Sequence, residues 1–121
     1  MITSTISSEW PSLEDLEEIA EEQVKEIAGD IFRACVKLSP VQSGEYSASW
    51  RVSFNVARTD TTPGGTKGFP VRGASFRWPS GFKLGDEVII SNNVPYAELI
   101  EHGWSNQAPF GVINVAVAGL G

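Results

Sequence analysis

The stretch SLEDLEEIAEEQVKEIAGDIFRACVKLSP, residues 12–40, decides the fold. Its apolar residues Leu13, Leu16, Ala20, Val24, Ile27, Ala28, Ile31, Cys35 and Leu38 fall three or four apart. That spacing is one stripe on a 3.6-residue period and predicts a long amphipathic helix. Ser12 is a natural N-cap, and Asp15 stands where a capping box places its carboxylate partner. Acids crowd the first turns while Arg33 and Lys37 occupy the last, which suits the helix dipole. Pro40 ends the helix by about Ser39, because a proline ring disfavours helical backbone in the residue before it.

Working outward, residues 1–11 read as a loose arm, and Val41-Gln42-Ser43-Gly44 as a turn whose Ser43 caps one short helical turn through Ala48. In Trp50-Arg51-Val52-Ser53-Phe54-Asn55-Val56, large apolar residues alternate with polar ones. Period two predicts a half-buried strand with Trp50, Val52, Phe54 and Val56 toward the helix. Residues 58–84 are rich in glycine and proline and lack periodicity, which predicts a long inserted loop; within it Ala74–Trp78 is a candidate short strand. The turn Leu84-Gly85-Asp86 leads into a second strand, Glu87–Ser91, which Asn92-Asn93 breaks. Pro95 suits the first turn of a short helix reaching about His102, and Gly103 stops it. The β-branched run Gly111–Val117 predicts a last strand, with a helix as the lesser alternative. The expected fold is one α+β domain over residues 1–121, a long N-terminal helix packed on a small antiparallel sheet.

Composition bounds the function. With 41% hydrophobic and 20% charged residues, the 121-residue chain is ordinary for a single globular domain. No stretch approaches the roughly 20 consecutive apolar residues of a membrane span. The N-terminus has neither a basic nor an apolar leader segment, so no secretory signal is expected. One cysteine and one histidine cannot build a zinc site of the His/Cys type within one chain. No cofactor or metal is expected.

Several residue patterns have both a chemical and a bland explanation. His102 beside Glu101, with Glu98 one turn earlier, could be an oriented general base in a small hydrolase. No nucleophile accompanies it, and a histidine at a helix end is also favoured by the dipole. Cys35 lies on the apolar stripe, as a small buried hydrophobe does. The segment Thr62-Pro63-Gly64-Gly65-Thr66-Lys67-Gly68 lacks the helix that must follow a phosphate-binding loop. No catalytic residue is assigned.

Charge is distributed unevenly. Glu9, Glu14, Asp15, Glu17, Glu18, Glu21, Glu22, Glu26 and Asp30 face one nearby base, Lys25, whereas Arg58, Lys67, Arg72, Arg77 and Lys83 face one acid, Asp60. A net charge of −6 argues against binding nucleic acid through the general field. Opposite blocks in one chain suit head-to-tail contacts between copies. The basic loop interleaves Phe69, Phe76, Trp78 and Phe82 with its cations, a pattern that fits subunit contact. The alternative is a nucleic-acid-binding module that stacks bases on residues 58–83.

Two segments resemble one known family. Ser39-Pro40-Val41-Gln42-Ser43-Gly44-Glu45-Tyr46-Ser47-Ala48-Ser49-Trp50 resembles the "(S/T)PV-x-(S/T)G-x-(L/Y)-x-x-SW" stretch that follows the long helix of tail-completion and neck proteins of tailed bacteriophages. Ser91-Asn92-Asn93-Val94-Pro95-Tyr96-Ala97-Glu98-Leu99-Ile100-Glu101-His102-Gly103 resembles their "NN-x-x-PYA-x-x-(I/V)E-x-G" segment, and Gln107-Ala108-Pro109-Phe110-Gly111 the "(Q/K)AP-x-G" stretch that comes next. Many relatives continue into a longer C-terminal tail. The resemblance implies a structural, non-enzymatic virion protein, assembled in the host cytoplasm as a ring, commonly a hexamer, at the head-proximal end of the tail. Its implied partners are further copies of itself, the tail-tube protein and head-side connector or neck proteins, with DNA passing through the ring without sequence-specific binding. Pro40, Gly44, Trp50, Pro95, Tyr96 and Gly103 are the expected fold-defining residues. Partner contacts are expected from Arg58, Lys67, Phe69, Arg72, Phe76, Arg77, Trp78, Phe82 and Lys83 in the loop, and from Trp104 and Phe110 near the C-terminus.

Overall fold

The computed structural model describes residues 13–66, 68–103 and 111–119, with side chains of the first helix from Glu18 onward. Helix α1, Leu13–Leu38, is followed by a single helical turn α2, Glu45–Ala48, and strand β1, Trp50–Phe54. After a long irregular segment come strand β2, Val88–Asn92, and the short helices α3, Ala97–Glu101, and α4, Ile113–Ala118. The two strands pair antiparallel with Trp50 opposite Asn92 and Phe54 opposite Val88. The fold is α+β, a long helix lying on a small antiparallel sheet.

Helix α1 turns Ala20, Val24, Ala28, Ile31, Phe32 and Cys35 into the core. Two details differ from the apolar stripe. Ile27 is 49% exposed, while Phe32 is 1% exposed and packs its ring 5.5 Å from that of Phe76. The buried arc centres on Val24, Ala28, Ile31 and Cys35, and at about 100° per residue Phe32 and Ile27 flank it about equally on opposite sides; the Phe76 ring covers the Phe32 side. The expected contributions of Ser12, Leu13, Asp15 and Leu16 lie outside the described side chains.

Strand β1 stops two residues early. Asn55 takes a left-handed conformation, φ 65°, which breaks the alternation, so Val56 points to solvent at 75% exposure instead of facing the helix. Asn55 is tolerated there because its side chain replaces the lost ladder: Nδ2 donates to Asp86 Oδ1 at 3.1 Å, and Oδ1 accepts from the Glu87 N–H at 3.0 Å. Both faces of the sheet are covered. Trp50, Val52, Val88 and Ile90 meet the helices, and on the opposite face Ile89 is buried where Ser53 and Ser91 donate to the Val56 and Arg58 carbonyls of the segment that leaves β1. That segment is fastened by Asn93 Nδ2 to the Thr59 carbonyl, 3.0 Å, and by the Thr62 N–H to Ser49 Oγ, 3.0 Å.

The long loop forms no strand at Ala74–Trp78; its regular pairing among the described residues is one isolated bridge between Thr66 and Phe69. It is held instead by single bonds, such as the Ala74 N–H to the Ser47 carbonyl at 2.9 Å. The last element corrects the preferred expectation of a strand over Gly111–Val117: residues 113–118 are helix α4. The reason lies well back in the chain. The Glu101 carboxylate accepts from the N–H groups of Val112, Ile113 and Asn114 at 2.9, 2.9 and 3.0 Å. A negative charge that satisfies three otherwise orphaned donors overrides the β preference of valine and isoleucine. Removing it with Glu101→Ala is expected to cost about 1–3 kcal/mol, read by urea unfolding, because three N–H groups lose a charged acceptor. Selective loss of amide protection over Val112–Ala118 in hydrogen exchange would locate the effect.

Candidate interaction surface

The two segments that carry the family resemblance meet in space. The Trp50 indole N–H donates to Ser39 Oγ at 2.8 Å, and the Ser39 hydroxyl donates to the Cys35 carbonyl at 2.6 Å, which ties β1 to the end of α1. Asn92 Nδ2 donates to the Tyr46 carbonyl at 2.7 Å, and the Tyr96 hydroxyl donates to Glu45 Oε1 at 2.9 Å. Tyr46 sits between Trp50, edge-on at 5.5 Å, and Tyr96, stacked at 6.3 Å. Burial and the Glu45 carboxylate push the Tyr96 phenol up to about 12, so it remains a donor at neutral pH.

The other fold-defining residues act on the backbone. Pro40 follows the last turn of α1, and Pro95 precedes α3. Gly44 has φ 82° and receives the loop beside it: the Val71 and Gly65 N–H groups donate to the Ser43 carbonyl at 3.0 and 2.7 Å. Gly103, φ 84°, ends α3 with its N–H on the Ile100 carbonyl at 3.0 Å.

The basic aromatic loop divides into two populations. Phe76, Trp78 and Phe82 turn inward. Trp78 lies 4.9 Å from Phe54 and donates its indole N–H to Glu21 Oε1 at 3.0 Å, and Phe82 packs 5.5 Å from Phe54. The Arg33 guanidinium sits 5.2 Å over the Phe76 ring. These three rings are committed to the domain's own core. Phe69, 83% exposed, and the side chains of Arg58, Arg72, Arg77 and Lys83 face solvent. Lys67, Trp104 and Phe110 lie outside the described residues.

Four arginines converge where this loop passes the free edge of β1. A cleft of about 400 Å³ has Phe32, Ala48, Trp50 and Val52 as its floor, and Arg51, Arg58, Arg72 and Arg77 around its rim. Asp60 binds two of the four, Arg51 Nε at 2.9 Å and Arg58 Nη2 at 2.6 Å. Hydrogen bonds from Arg58 and then Arg51 lower the Asp60 carboxyl to about 2. Because the folded value lies below the ordinary carboxylate value, the clasp is present above about pH 4 and is lost as pH falls toward 2. Asp60→Asn is expected to remove that acid-dependent step from the chemical shifts of residues 58–62 while leaving the core signals in place.

Two further residues of chemical interest lie away from this cleft. Cys35 is fully buried, and burial followed by the Glu101 charge pushes its thiol up to about 12. His102 is exposed at the end of α3, and its neighbour Glu101 is occupied by α4. A search of family models, characterised proteins and solved structures finds no match to this chain.

Sequence reading missed Glu101 as a cap, Asp60 as a clasp and Ser39 as the acceptor for Trp50. Only Ser39 was signalled locally, by its place one turn after Cys35.

Proposed function

We propose that the chain is a structural virion subunit of a tailed phage, one that assembles as a ring at the joint between head and tail. The observation that carries this reading is the joining of the two resembling segments. About 40 residues apart in sequence, they are joined through Asn92–Tyr46 and Tyr96–Glu45 and by the stacking of Tyr46 on Tyr96. Their shared task is to set α1 against the sheet, and nothing in that corner is arranged around a reaction centre. The surface around it carries exposed Val41, Phe69, Tyr96 and Leu99, an apolar display that suits contact with neighbouring subunits.

A nucleic-acid module is the second reading, favoured by the solvent-facing Arg72 and Arg77. It is weakened by the inward packing of Phe76, Trp78 and Phe82, which leaves those rings unable to stack on bases. Disrupting the gene in a phage that encodes it tests the proposal: complete heads and unjoined tails are expected by electron microscopy. Normal infectious particles would reject it. A salt titration of DNA affinity with slope near zero would dispose of the second reading.

A further inference from the structure

We infer that the arginine-rimmed cleft along β1 is the socket for the acidic outer face of α1 from a second copy of this chain. The inference rests on the ring reading and names the contact that would build the ring.

The cleft is matched to a particular kind of occupant. Around its rim, four guanidinium groups stand against the one carboxylate of Asp60. Among the described residues, Arg72 and Arg77 have no ion-pair or hydrogen-bond partner. The floor of Phe32, Ala48, Trp50 and Val52 is apolar. Those floor side chains are already buried, so the rim sets the occupant: a surface that presents several carboxylates at once.

The chain carries such a surface. On the solvent side of α1, Ile19 is 57% exposed and Ile27 49% exposed, and Glu22, Glu26 and Asp30 stand beside them one turn apart. Ile19 lies near the middle of the solvent arc, with its side chain exposed among the described residues. The nearby bases compete weakly: Lys25 approaches Glu22 only to 4.0 Å and Arg33 approaches Asp30 to 3.6 Å, both pairs open to water.

One molecule cannot close this contact on itself. Phe32, at the cleft floor, follows Glu26 by six residues, which at about 100° per residue separates the two by about 120° around the helix. Socket and plug therefore point in different directions. A contact between two different faces is heterologous, and repeated copies form a ring when the rotation closes.

Charge reversal tests the pairing. Arg72→Glu/Arg77→Glu and Glu22→Arg/Glu26→Arg, all at exposed positions, are made in the full-length chain and followed by sedimentation, alone and on tail-tube ends. Each variant by itself is expected to lose self-association by roughly 10- to 100-fold, and an equimolar mixture of the two to regain it. Arg72→Lys/Arg77→Lys, which keeps the charge, should associate nearly as wild type does. Misfolding cannot produce recovery on mixing. Wild-type association by either reversed variant, or no recovery in the mixture, overturns the socket while the ring reading stands. A wild-type chain that remains monomeric in both settings removes the ring reading and the socket together. Unchanged association with lost DNA binding in Arg72→Glu/Arg77→Glu would assign the cleft to a phosphodiester backbone and also overturn the inference.

Discussion

Gly44→Ala is expected to destabilise the domain by about 3–5 kcal/mol, among the largest effects of any single methyl addition in the chain. Two costs add. A non-glycine residue at φ 82° gives up roughly 1–2 kcal/mol in the left-handed region. The added Cβ would also collide with the Val71 carbonyl oxygen and stand 2.8 Å from the Val71 nitrogen. Those are backbone atoms, so no side chain can swing away. Relief requires the Gly65 and Val71 backbone to lift from Ser43, which breaks the two hydrogen bonds that they make there. Gly81→Ala separates the two costs, because Gly81 has φ 89° but nothing within 4 Å of its Cβ position. It should show the backbone cost alone, roughly 1–2 kcal/mol. Urea unfolding followed by circular dichroism gives both values, and equal midpoints for the two variants would refute the steric part.

The second large effect is expected at Trp50. The side chain is 1% exposed and fills the space between α1, Tyr46 and β2. Truncation by Trp50→Ala should cost about 3–5 kcal/mol through lost burial and the cavity left behind. The indole also makes a directional contact. In Ser39→Ala the buried Trp50 N–H loses its acceptor, a penalty of about 1–3 kcal/mol. Trp50→Phe removes the donor instead and leaves the Ser39 hydroxyl bonded to the Cys35 carbonyl, so the double variant with Ser39→Ala should cost less than the sum of its parts. Strict additivity would mean that the hydrogen bond does not couple the helix end to the strand.

What the sequence made legible follows from how local each signal is. The long helix, the two strands, the Asp86 turn and the glycine stop at 103 are set by residues adjacent to the structure they form, and all of these elements are present. The failures share a different cause. Helix α4 depends on Glu101, more than ten residues before it, so a run of valine and isoleucine read as a strand. Val56 turned outward because Asn55 took a positive φ, supported by a side-chain bond to Asp86 31 residues on. Phe32 was omitted from the buried stripe because its partner, Phe76, lies in a loop without periodicity. In the candidate surface, residue types announced the basic loop and the acidic helix. Which aromatics would remain exposed was decided by tertiary packing against Phe32 and Phe54, and only Phe69 among the described four did.

The most direct measurement on the central proposal is light scattering on the size-excluded full-length protein, alone and mixed with its tail-tube protein. A closed oligomer of one defined stoichiometry, formed by the free chain or on the tube end, is the predicted result. A strict monomer that ignores the tube protein at high concentration would contradict it.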